Sequence, residues 1–161
     1  MDDILSRTIS DLERTGRFAD LKGFRQHGNW SVYAHSVNVA EASLRLARKL
    51  GLKLDEEALV RGALLHDYFL YDWHVPDPKR RQHAFFHPSV AWENASRDYD
   101  LGETEEDIIR HHMFPVVPVP PHTKEGWIVS AMDTVCALKE TLSDAAAKRK
   151  VGKLKRQEDR K

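Results

Sequence analysis

Apolar side chains recur at helical spacing along most of the chain, and no two segments make a credible pair of alternating strands. Ile4, Leu5, Ile9 and Leu12 predict a first helix over about residues 2–14. Residues 17–30, with Gly23 and Gly28, read as irregular. Ser31 is a fitting N-cap and Gly51 a fitting C′ glycine for a long helix ending near Leu50. Its buried stripe is expected to hold Val32, either His35 or Ser36, Val39, Ser43, Leu46 and Leu50. Asp55 caps the next helix, with Glu56 and Glu57 in the first turn, and the apolar run Ala63-Leu64-Leu65 carries it to His66-Asp67. Residues 71–86 read as a polar, aromatic and basic loop, and Pro88 as the first residue of a short helix reaching about Tyr99. Thr104-Glu105-Glu106-Asp107 resembles a capping box, with Asp at its last position, that opens a helix carrying Ile108, Ile109 and His112. The proline-rich segment from Phe114 to Pro121 is loop, and a last helix runs from about Lys124 past Asp133 to Leu142. Ile128, Met132, Val135, Leu138 and Leu142 are expected on its inner face. The pattern predicts an all-α, single-domain helical bundle. Residues 1–30 add a helix and loop, 31–142 form the main domain, and 143–161 form a charged tail expected to fray.

Composition narrows the functional classes. The 161 residues suit one domain with a real core. Lys plus Arg and Asp plus Glu each total 25, so the formal net charge is zero. Nothing global points to a nucleic-acid or membrane partner, and any anion-binding surface must be local. Cys136, the one cysteine, permits no intramolecular disulfide, and no apolar stretch is long enough to span a bilayer. With no signal-peptide pattern after Met1, a cytoplasmic location is expected.

Histidine is the exception to an otherwise ordinary composition. The nine are spread from His27 to His122 and do not form a tag. Several polar residues occupy positions where the helical pattern calls for apolar ones. His35 shares a face with Val32 and Val39, His66-Asp67 ends a strongly apolar helix, His112 follows Ile108 and Ile109 by one turn, and Asp133 sits between Met132 and Val135. Burying such groups unpaired costs several kcal/mol for a charged carboxylate, roughly, and a shared metal ion removes that cost. Any one of them alone reads more simply as a hydrogen-bonded core residue, whereas five on successive helices favour a metal site.

At these residues the chain resembles a known family. The segments YAHSVNVAEAS, GALLHDYFLYDW, HPSVAWENA, IIRHHMFP and IVSAMDTVCALKE are similar to those of the HD-domain metal-dependent phosphohydrolases, closest to the small stand-alone bacterial members. The resemblance covers about Gln26 to Glu140. It implies that His35, His66, Asp67 and Asp133 hold one metal ion, that His87 and His112 serve a second, and that Asp67 bridges the two. The His66-Asp67 doublet is then the catalytic pair, and the ions are iron or manganese, or alternatively zinc, cobalt or nickel. His112 is preferred to its neighbour His111, because adjacent helical residues point about 100° apart.

The reaction implied is hydrolysis of a phosphate ester, a phosphomonoester or phosphodiester of a small metabolite or nucleotide, by a metal-activated water. Candidate substrate contacts are His27, Arg61, Lys79, Arg81, His83, His111 and Lys139, with Arg80 in the same basic run. His27 reads equally as a structural hydrogen-bonding residue, and residues 79–81 as a solvated loop. Tyr68, Phe69, Tyr71 and Trp73 read either as a pocket wall or as core, and Cys136 as core. Three other functions fit the same chain: a di-iron oxygenase of the same superfamily, a non-catalytic metal-stabilised sensor of a small ligand, and a nucleic-acid binder using the basic but interrupted tail of residues 148–161. A homodimer is compatible with the sequence and not demanded by it.

Overall fold

A computed structural model describes residues 2–26, 28–75 and 83–158; within its last helix the side chains of residues 148 and 150–158 lie outside the description. The elements are α1 (Asp3–Thr15), a 3-10 helix (Phe18–Gly23), α2 (Val32–Lys49), α3 (Glu56–Leu65), α4 (His83–Asp98), α5 (Glu103–His111) and α6 (Lys124–Glu158). The fold is all-α, and the extended pairing among the described residues is an isolated bridge between Arg25 and Ser31. No described helix is long and apolar enough to cross a membrane.

The helix starts follow from side chains that satisfy otherwise unpaired backbone N–H groups. Asp2, Ser31 and Asp55 accept from the first turns of α1, α2 and α3, so these three helices begin where the sequence places them. Gly51, at φ 62°, ends the α2 region in the left-handed conformation that favours glycine. The core is one cluster that includes Leu5, Leu12, Phe18, Leu21, Val39, Leu59, Leu64, Leu65, Ile108 and Ile109. Each side chain of this size contributes about 1.5–3 kcal/mol on full burial. Helix α2 packs on α3 and α6, and α5 packs on α3, α4 and α6. The C-terminal ends of α3 and α5, the first turn of α2 and the third turn of α6 therefore converge on one interior region.

Six expectations are corrected. The irregular stretch after Arg17 contains the 3-10 helix, whose three-residue repeat stacks Phe18 and Leu21 on one buried face. Leu50 is exposed: α2 ends at Lys49, and its inner face turns through Leu44 and Ala47 instead. Helix α4 starts at His83, so Pro88 lies inside it; the added turn sets His83 four residues before His87 on the same face. The N-cap of α5 is Gly102, not Thr104, and its N–H donates to Glu105 Oε2 at 3.2 Å. Asp107 takes no part in that cap and serves the start of α6. On α6 itself, Val135, Leu138 and Leu142 face solvent, while Ile128, Val129, Cys136 and Glu140 are buried. The inward face is the one bearing Asp133 and Glu140, because their partner His35 lies inside. Lastly, α6 does not stop near Leu142. Ala145, Ala146 and Ala147, the strongest helix formers, follow after Ser143-Asp144, and the helical backbone continues to Glu158.

Candidate metal centre

The C-terminal ends of α3 and α5 supply His66, Asp67 and His112, the second turn of α4 supplies His87, the first turn of α2 supplies His35, and the third turn of α6 supplies Asp133. All six come together. Their side chains form three overlapping groups (His35, His66 and Asp67; His66, His112 and Asp133; Asp67, His87 and His112), and within each group the ligand atoms lie within 4.8 Å of one another. Asp67 stands between the two halves. Its Oδ2 is 3.4 Å from His66 Nε2 and 4.0 Å from His35 Nε2, whereas its Oδ1 is 3.1 Å from His87 Nε2 and 3.7 Å from His112 Nε2. Asp133 Oδ1 lies 2.9 Å from His35 Nε2 and 3.7 Å from His66 Nε2.

The outer hydrogen bonds set the tautomers. His66, His87 and His112 each donate Nδ1–H to a backbone carbonyl, of Ala63 at 2.7 Å, His83 at 3.1 Å and Ile109 at 2.9 Å. His35 donates Nδ1–H to Glu140 Oε2 at 2.9 Å, and Asn38 steadies the other oxygen of that carboxylate. All four imidazoles thereby turn Nε2 inward, the arrangement by which outer partners orient histidine ligands. Gln26 donates from Nε2 to Asp67 Oδ2 at 2.6 Å.

These groups fit a cation. His66 Nε2 is buried with no hydrogen-bond partner, its contacts to Asp67 and Asp133 being charge contacts too long for a hydrogen bond. His87 Nε2 and His112 Nε2 face each other at 2.9 Å while both rings direct Nδ1 to a backbone carbonyl, so the two inward nitrogens share one space that a single cation, a proton or a metal ion, must fill. Burial pushes both carboxylates up, yet the neighbouring imidazoles override it and hold Asp67 and Asp133 well below the usual carboxylate range. Burial acts to lower His35 as well, but hydrogen bonds to Asp133 and Glu140 raise it to about 9, and the same carboxylates raise His66. In each case a proton fills the role the electrostatics reserve for positive charge. His112 is pushed down to about 3 by burial and by the charge of His66 and His87, and stays a neutral donor. Buried imidazole and carboxylate groups of this kind suit divalent transition metals.

The other candidate residues are dispersed. Arg61 faces Glu105 at 3.8 Å across α3 and α5, and Lys139 is exposed on α6. His83 stacks on the His87 ring at 4.7 Å between centroids, and its Nδ1 is 2.8 Å from the Tyr71 hydroxyl, so it buttresses His87. His111 turns away from the centre and donates from Nδ1 to Asp107 at 2.8 Å. Tyr68 and Phe69 are core: the Tyr68 hydroxyl accepts from Arg17 N–H and donates to Asp98. Cys136 is buried, as expected. His27, Lys79, Arg80 and Arg81 lie outside the described residues.

Two residues of the centre were not singled out from the sequence. Glu140 follows Asp133 by seven residues, two helical turns, which was the available signal for a second inward acid on one face. Gln26 sits in a segment without periodicity, and nothing local announced its burial.

Comparison with curated proteins and with solved structures gives no match. A family model for the HD domain matches residues 32–138, from the first turn of α2 to the middle of α6, and so encloses all six converging side chains. The chain belongs to the HD domain family.

Proposed function

We propose that this protein is a metal-dependent phosphohydrolase with a dinuclear centre, one ion held by His35, His66, Asp67 and Asp133 and the other by Asp67, His87 and His112. The observation that carries the reading is the division of Asp67, one oxygen toward His35 and His66 and the other toward His87 and His112. Membership of a family made up mostly of metal-dependent hydrolases supports it. Bound divalent ions supply Lewis acidity and an activated water at neutral pH. The chain's own residues supply the rest. Glu140, Ala63, His83 and Ile109 fix the four rings with Nε2 inward, Gln26 holds Asp67 in orientation, and the carboxylates stay ionised. Attack at phosphorus needs no serine or cysteine nucleophile, which agrees with a buried Cys136. The substrate class is a small phosphorylated metabolite or nucleotide, a monoester or diester, in the cytoplasm.

The test is elemental analysis of untagged protein purified without chelator, for wild type and His87→Ala, followed by a phosphate-ester panel with added manganese or iron. The expected result is that His87→Ala loses about one equivalent relative to wild type and that Asp67→Ala abolishes turnover. A wild type that takes up no transition metal, or an Asp67→Ala variant with full activity, overturns the proposal. Turnover that requires both iron and oxygen points instead to an oxygenase.

A further inference from the structure

A second set of metal-capable side chains lies outside the buried centre, where the end of α5 meets the start of α6. Asp107 is on α5, His111 is one turn later, and His122 belongs to the segment that leads into α6; one ligand atom from each lies within 4.8 Å of the others. The carboxylate is built in. Asp107 Oδ2 accepts from the Thr123 hydroxyl at 2.6 Å and from Thr123 N–H at 2.9 Å, and both of its oxygens lie 3.0 Å from His122 N–H. A Cβ at Gly126 would come within 2.7 Å of Oδ2, so only a glycine lets α6 begin this close to the carboxylate. The remaining oxygen, Oδ1, accepts from His111 Nδ1–H at 2.8 Å and His122 Nδ1–H at 3.0 Å. The His122 side chain is 69% exposed, which opens the cluster to solvent.

We propose that Asp107, His111 and His122 form a surface site for a divalent late transition metal ion, zinc, nickel or copper(II), distinct from the buried centre. The ion replaces the two Nδ1 protons that now link the rings to Oδ1, and each neutral ring carries its proton on Nε2 instead. For bonds of about 2.0–2.1 Å, ligand atoms 2.8–3.0 Å apart subtend roughly 90° at the ion. That angle suits the tetragonal coordination of copper(II) or nickel, and a widening of about half an ångström reaches the tetrahedral angle of zinc. The exposed His122 ring supplies that movement, and water completes the coordination. Because Oδ2 stays tied to Thr123, binding recruits a carboxylate already in place. The ion clamps the last turn of α5, next to His112, onto the segment that leads into α6.

The test is equilibrium dialysis of untagged full-length protein against nickel or zinc with elemental analysis, alongside copper(II) electron paramagnetic resonance, for wild type, His122→Ala, His111→Ala and His87→Ala. The expected result is that His122→Ala and His111→Ala each bind about one equivalent less than wild type and lose the nitrogen coupling of the surface copper signal. His87→Ala, which alters only the buried centre, retains that signal, so failure of the buried-centre reading leaves this result intact. Circular dichroism checks that His122→Ala keeps its helices. Equal metal content and equal spectra in wild type and both surface variants overturn the proposal.

Discussion

Gly62 and Ile108 set the spacing between the two helices that deliver His66 and His112, each lying one turn before its histidine. An ideal Cβ at Gly62 would meet Ile108 Cδ1 at 2.5 Å, Cβ at 3.0 Å and Cγ2 at 3.1 Å. Two effects oppose one another in Gly62→Ala. Alanine is favoured over glycine inside a helix by about 0.8–1.0 kcal/mol. Carbon contacts prefer about 3.5–4.0 Å, and overpacking of a filled core costs about 1–3 kcal/mol. Ile108 Cδ1 can rotate aside, but Cβ moves only with α5 and Cγ2 only by leaving the strongly preferred χ1 of a β-branched residue in a helix, so the clash wins and the variant is less stable by about 1 kcal/mol. Urea denaturation of metal-free protein measures this. The companion change Ile108→Val removes Cδ1; alone it costs about 0.5–1.5 kcal/mol, and in the Gly62→Ala background less or nothing. Moving α5 off α3 also separates His66 from His112, whose rings now lie 4.9 Å apart, so Gly62→Ala binds metal more weakly. A Gly62→Ala protein more stable than wild type by the helix-propensity amount, with Ile108→Val costing the same in both backgrounds, would refute the reasoning.

Two other substitutions probe the surroundings of the centre. Glu140→Gln keeps the shape of the acceptor for His35 Nδ1–H but removes its charge, and metal affinity measured by competition with a chelator falls roughly 10–100-fold; an unchanged affinity would show that Glu140 merely fills space. Asp107→Asn puts an amide where the backbone of His122 and Thr123, the Thr123 hydroxyl and two imidazoles donate, and destabilises by about 2 kcal/mol near neutral pH. Burial pushes the Asp107 carboxyl up, but these donors hold it well below the usual carboxylate range, so its contribution is complete above the unfolded value of 3.8 and is lost as pH falls below it. Thermal denaturation with chelator present should therefore show the gap between wild type and Asp107→Asn constant from about pH 7 to 5 and shrinking below about pH 4; a gap that grows on acidification contradicts the assignment.

Local chemistry in the sequence determined the all-α class, the starts of α1, α2 and α3, and which acids and imidazoles interrupt the apolar face of their helices. Caps act over three or four residues, and a buried ionisable group conflicts with the apolar period around it, so both leave a trace in the linear pattern. The tertiary structure decided what linear periodicity does not encode. It turned α6 so that Asp133 and Glu140 face His35 while Val135, Leu138 and Leu142 face solvent, because a helix with apolar residues on two sides is oriented only by what packs against it. It separated His111 from His112, sending one to Asp107 and the other to the buried centre. It also brought Gln26 onto Asp67 across 41 residues, a contact that depends on α2 and α3 packing with the ends that carry His35 and His66-Asp67 together.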